Sequence, residues 1–177
     1  MSGSEIKISN AFFRLLNDHS MKDINVSMLC RDAGVGRATF YRHYRDTIDI
    51  VNRFYESVVS DAIENTDTAI MVFERRRQFG DRLFVKIGEN RGRFLLLHRN
   101  GMTHSIMFTI EKRLKIDGPE YDLKRLVMNY YLGGTFTLIN LLLESGMRGK
   151  EMFDETLRKI RVIINDPTTA EMEILKK

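Results

Sequence analysis

The chain has 177 residues, 43% of them hydrophobic and 29% charged, with only 12 glycines and 2 prolines. This is the makeup of an ordinary globular protein with enough length to bury a core, and it excludes long disordered tracts. The formal net charge of +4 is compatible with a nucleic-acid partner without requiring one. A single cysteine, Cys30, excludes an intrachain disulfide and fits a reducing cytoplasm. His19, His43, His98 and His104 are scattered, so neither a metal nor a cofactor is expected.

In chain order, nearly every periodic segment predicts helix. The opening MSGSEIKISN has no basic run followed by an apolar one, so no secretory signal is expected. Ile8, Phe12, Leu15 and Leu16 then form one apolar stripe at helical spacing. Asn25 is a good cap for a short helix carrying Val26, Leu29, Cys30 and Ala33, and Gly34 supplies its stop. A second short helix is predicted over about 37–44. Asp46 caps the next, with Asp49 three residues on and Ile50, Val51, Phe54, Tyr55 and Val58 as its apolar face.

The charged run 74–77 predicts a solvated face. Leu83, Phe84 and Ile87 mark a helix, 94–97 a short one, and Asn100-Gly101 a turn. Met107, Ile110 and Leu114 stripe another helix, ended by Asp117-Gly118-Pro119. A long helix is predicted over about 120–144, closed by Gly146. Its apolar run, 130–143, falls short of the roughly 20 residues a membrane span needs, so a buried helix is expected rather than a membrane segment. Phe153, Leu157, Ile160 and Ile164 stripe the last helix, which Asp166-Pro167 ends. With no repeat and no strand alternation, the expected fold class is all-α.

The informative stretch is INVSMLCRDAGVGRATFYRHYRD, 24–46. Two short helices around a tight glycine-containing turn are the layout of a DNA-binding helix-turn-helix, whose second helix enters the major groove. Leu29, Ala33, Val35 and Phe40 would pack the two helices together, and Tyr44 would close the core beneath the second. That leaves Arg37, Ala38, Thr39, Tyr41, Arg42 and His43 outward. Between positions 31 and 45 four arginines face one acid, Asp32, so much of the charge excess sits here. Arginine can take guanine with two donors, and alanine or threonine can touch a thymine methyl. Tyrosine, histidine and arginine can hold phosphates. Asn25-Val26-Ser27 matches a glycosylation sequon, read as coincidence in a chain with no secretion signal.

At AGVGRATFYRHY, 33–44, the chain resembles the TetR family of one-component transcriptional regulators, whose pattern runs Ala-Gly-Val/Ile, a cap residue, Thr-Leu/Phe-Tyr, His and an aromatic. The close match covers about the first 55 residues. The resemblance implies phosphate contacts from Tyr41 and His43, and base and backbone readout around Arg37, Ala38 and Thr39. Two positions depart from the pattern: Gly36 stands where a serine or threonine cap is usual, and Thr47 where many members carry a phosphate-binding lysine, for which Arg42 or Arg45 would compensate.

The expected organisation is a helix-turn-helix head over 1–47, a linking helix over about 47–64, and a helical regulatory and dimerisation body over 65–177. The resemblance implies a homodimer through about 120–164, with double-stranded DNA and a small-molecule effector as partners. Phe94, His98, Met102, Phe108 and Tyr130, with Phe84 and Tyr131, are the candidate pocket residues. Gly133 and Gly134 inside the long helix cost about 1 kcal/mol each relative to alanine, offset either by close helix approach or by a pocket wall. No Gly-x-Ser-x-Gly elbow, phosphate-binding loop or paired His/Glu metal motif is present, so no enzyme is expected. Repression is the commoner mode in the resembled family; activation, or control by a protein partner, uses the same head.

Overall fold

The computed structural model describes residues 2–63, 73–114 and 123–166, with side chains from 77 and 125 onward in the last two stretches. Among the described residues the chain is all-helical. The head is built from α1 (Gly3–Asp18), α2 (Val26–Ala33) and α3 (Arg37–His43), and α4 (Thr47–Ile63) leads out of it. The body holds α5 (Phe73–Glu89), α6 (Arg91–Arg99), α7 (His104–Arg113), α8 (Leu123–Gly146) and α9 (Lys150–Asn165).

Local chemistry sets the helix ends of the head. Ser2 and Glu5 form a capping box, satisfying two otherwise unpaired N–H groups at the start of α1. The Asn25 side chain accepts the Met28 N–H at 3.1 Å, and Gly34 ends α2 at φ 64°, in the left-handed region glycine enters without strain. Asp46 Oδ1 accepts the Asp49 N–H at 2.8 Å at the start of α4. Gly36 makes no side-chain cap bond to α3, as its departure from the family pattern implied. Its backbone is extended and a Cβ there would meet open space. Gly36→Ser is therefore expected to raise the unfolding free energy by a few tenths to about 1 kcal/mol, read from urea unfolding. An unchanged or lower midpoint would mean that α3 gains nothing from a cap.

Ile8, Phe12 and Leu16 are buried with Ala11 and Phe13, while Leu15 is only half-buried. The apolar core runs on without a break from α1 through α4 into the body. Phe13, Phe54 and Phe94 form a chain of edge-on rings across that junction, with centroids 5.2 and 5.4 Å apart. Polar links reinforce it. Arg93 Nη2 donates to Asn10 Oδ1 at 2.8 Å, its guanidinium lying 4.8 Å over the Phe13 ring. Asn100 Oδ1 accepts the Met21 N–H at 3.0 Å, tying the α6–α7 turn to the loop after α1. Across the expected division at 47 and 65, α1 and α6 thus share one core.

Three expectations in the body are placed by the structure, the first with a shift of face. In α7 the buried face is Ile106, Thr109 and Ile110, whereas Met107 and Leu114 are half-buried at its edge, because the helix turns a neighbouring face onto α4. The helix closes at Arg113; the Asp117-Gly118-Pro119 stop lies outside the described residues, as do 120–122, Pro167 and the tail to Lys177. In α9 the stripe Phe153, Leu157, Ile160 and Ile164 is turned onto α5 and α8 of its own chain. The third concerns the glycines. Beyond the local backbone of α8, no atom of the described residues lies within 4 Å of a Cβ added at Gly133 or Gly134, so no other described helix approaches them closely. Close approach occurs instead at Gly88, where a Cβ would lie 2.9 Å from Leu157 Cδ2, and at Gly146, 2.7 Å from Leu95 Cδ2 and 2.8 Å from Phe153 Cδ2.

α8 is longer than its apolar run because flanking polar residues continue the helix, and by length and composition 125–146 could cross a bilayer. One side of it, with Ile139, Leu142 and Leu143, is fully buried. The other side leaves Leu126, Tyr130, Gly133, Gly134, Thr137 and Leu141 exposed in a line down the helix.

Candidate nucleic-acid interface

The geometry of α3 follows from its inner face. Phe40 is fully buried over Leu29 and Ala33, and its ring lies 5.9 Å from Tyr44, itself buried. The turn that aims α3 is closed by Val35 N–H donating to Cys30 O at 3.0 Å. Cys30 is buried with Ala33 on the packing face of α2, as a small core residue would be. With Phe40 inward, the helical period places Arg37, Ala38, Tyr41 and Arg42 on the solvent side, all exposed. Tyr41 is 60% exposed and stands edge-on against Phe40 at 5.4 Å, which orients its hydroxyl outward. Thr39 and His43 are half-buried at the margins of that face. Arg45 follows just past the helix, its side chain 3.6 Å from Asp49 and otherwise open. The structure thus gathers the seven candidate contact residues on and beside one short helix.

Three acids, on α1, α2 and α4, are paired with basic side chains. Asp32 accepts from Arg14 Nη2 at 2.7 Å, bridging α2 to α1. Asp49 is shared by Arg45 and by Arg53, at 3.6 and 3.5 Å. Glu5 faces Arg53 at 3.5 Å and His43 Nδ1 at 4.0 Å. The Ser2 backbone N–H, then the Ser2 hydroxyl and the His43 ring, hold the Glu5 carboxyl below its usual range against a smaller opposing effect of burial. Burial pushes the Tyr44 phenol up, aided by the Glu5 charge, so it stays neutral; its hydroxyl donates to Glu5 O at 3.5 Å under the Arg53 guanidinium. Arg42 carries no ion pair among the described residues. A helix with cationic and hydroxyl groups outward and its acids neutralised behind can hold phosphates and offer donors to base edges.

Sequence reading did not single out Glu5 and Arg53, which brace the C-terminal end of α3 from α1 and α4. The Ser-x-x-Glu spacing at Ser2 was a legible signal for the first. For Arg53 the i,i+4 spacing from Asp49 was a local signal of an ion pair, but its reach to Glu5 and Tyr44 on other elements was not legible.

The pocket candidates are dispersed. Phe94 is fully buried between Phe54 and Tyr55, 5.4 and 5.6 Å away. His98 Nδ1 shares a 2.8 Å hydrogen bond with Thr103 Oγ1, and Met102 O accepts from the Tyr55 hydroxyl at 3.2 Å. Phe108 is 69% exposed and Tyr130 77%. A cavity of about 650 Å³ opens between α5, α8 and α9, lined by Phe84, Tyr130, Tyr131, Leu138, Ile164 and the backbone of Gly133 and Gly134, among others. Phe94, His98, Met102 and Phe108 do not line it.

No family model matches the chain, and no curated protein matches its sequence. Among solved structures, the dihydroxyacetone kinase operon activator DhaS aligns over 97% of this chain and 97% of its own, with a TM-score of 0.56 at 17% identity. At that identity the likeness concerns the fold, which is all-helical among the described residues of this chain.

Proposed function

We propose that the chain is a TetR-like transcriptional regulator that binds a pseudo-palindromic duplex operator as a homodimer. The observation that carries this reading is the outward face of α3, where Arg37, Tyr41 and Arg42 stand exposed on a helix aimed by a buried Phe40. In support of the dimer, the described residues leave one side of α8 exposed, with Leu126, Tyr130 and Leu141 on it, and α9 adds exposed Met152, Val162 and Ile163. A second copy related by a two-fold axis would cover both and present two recognition helices. In the cytoplasm such a dimer represses by occupying its operator. A small molecule in the body, for which the cavity between α5, α8 and α9 is a candidate, favours another head separation and releases it. Effector and DNA then weaken each other by the same coupling, typically about 1–3 kcal/mol.

The test is selection from a random duplex library, followed by salt-dependent binding of the winner. An inverted repeat with half-sites about 34–36 Å apart, or a multiple of that, is expected. Tyr41→Phe should then weaken binding to every sequence by a similar factor, roughly tenfold, because a phosphate contact carries no base information. Absence of enrichment, with equal affinity in the Tyr41→Phe variant, would remove α3 as the docking face.

Activation is the second reading, favoured by the aligned structure being that of an operon activator. Transcription from a template carrying the selected site separates the two: added protein lowers transcript in one case and raises it in the other.

A further inference from the structure

The Arg37 guanidinium does not swing free. Arg37 Nη2 donates to Ser27 Oγ, joining the first residue of α3 to the second residue of α2. The Asn25 cap holds the first turn of α2, so the hydroxyl sits at a defined place. The partner matters as much as the bond. The serine hydroxyl is neutral, and Asp32 of the same helix pairs with Arg14, so Arg37 keeps its charge for DNA.

A guanidinium offers five N–H donors in a planar fork. Nη2 has two of them, one beside Nε and one beside Nη1. Whichever one the serine takes, the other still pairs with its neighbour as a two-donor edge. A guanine in the major groove accepts such an edge at O6 and N7. The first residues of a recognition helix are those that reach base edges. Holding the fork in advance removes rotamer freedom that an unheld arginine would lose on binding.

We propose that Ser27 is a specificity-positioning residue, whose hydroxyl holds the Arg37 guanidinium so that its remaining two-donor edge reads one guanine in each half-site. The proposal rests on the DNA-binding reading above. It absorbs the Asn25-Val26-Ser27 sequence into the recognition surface and divides the exposed face: Arg37 reads a base, while Tyr41 and Arg42 remain available for phosphate.

The experiment is library selection and salt-dependent binding with the wild type, Ser27→Ala, Ser27→Thr and Arg37→Ala. Ser27 is exposed, so its variants are expected to fold. In Arg37→Ala, preference for guanine at one position should fall by roughly 5- to 150-fold. In Ser27→Ala it should fall at the same position by roughly 2- to 12-fold, the worth of one hydrogen bond. Ser27→Thr, which keeps the hydroxyl, should restore it. The salt slope should not change in any variant. Base preferences in Ser27→Ala identical to wild type would overturn the proposal while leaving DNA binding intact. So would an Arg37→Ala variant with preferences intact and a slope reduced by about 1, the mark of a phosphate contact. A wild type that enriches no sequence would overturn this proposal and the DNA-binding reading together.

Discussion

Leu141→Glu is expected to convert the protein from dimer to monomer and to lower its affinity for a two-half-site operator by about 100-fold or more. Leu141 is 50% exposed on the side of α8 that the described residues leave open, in line with Tyr130 and the two glycines. In a symmetric interface the change is made twice, and a glutamate there buries a carboxylate with no partner, a cost of several kcal/mol. Linking two half-site contacts commonly gains 10²–10⁴ in affinity, roughly the gain that a monomer forfeits. Sedimentation gives the mass, and binding to full and half operators gives the second readout. Because the site is exposed, monomer stability should change little. If the variant sediments like the wild type, the exposed side of α8 is not the dimer surface. If it is monomeric and still binds the full operator at wild-type strength, the two heads do not act together.

Phe40→Ala is expected to destabilise the head by about 3–5 kcal/mol. Phe40 is fully buried, and its ring is shared by Tyr41 at 5.4 Å and Tyr44 at 5.9 Å. Alanine would leave a cavity that the short α3, with seven residues and no side-chain cap, has little means to close. Set against total stabilities of about 5–15 kcal/mol, this is a large share. Urea unfolding followed by helical circular dichroism should show a lower midpoint, and DNA affinity should fall with it because α3 loses its aim. A midpoint within experimental error of wild type would mean that Tyr41 and Tyr44 orient α3 without Phe40.

Where periodicity is strong and partners are local, sequence and structure agree closely. Asn25, Gly34 and Asp46 do what their types do at helix ends, since caps act on backbone two or three residues away. In α3 Phe40 turns inward and Arg37, Ala38, Tyr41 and Arg42 outward as read, since one buried aromatic in a seven-residue helix leaves only one way to face, while Thr39 and His43, also read as outward, are half-buried at the margins. Phe108 and Tyr130 show the limit of the same reasoning. Both are aromatic at helical spacing, which normally marks core, yet both are exposed in the chain. Phe94, equally aromatic, is sealed between Phe54 and Tyr55. Side-chain type cannot separate a core aromatic from one awaiting another surface.

The glycines make the same point. Gly133 and Gly134 stand as a pair inside an apolar helix, yet no other described helix presses on them. Gly88 and Gly146, one unremarked and one read as a stop, are where Leu157, Leu95 and Phe153 come within 3 Å of a would-be Cβ. By itself the sequence determined the all-helical class, the caps and turn of the head, and the outward face of α3. Each depends on backbone chemistry within one or two turns. Tertiary structure alone decided that α9 turns its stripe onto α5, that Glu5 and Arg53 brace α3, and that Ser27 holds Arg37. These pairings join residues on separate helices, and a helical period says which residues share a face without saying what that face will meet.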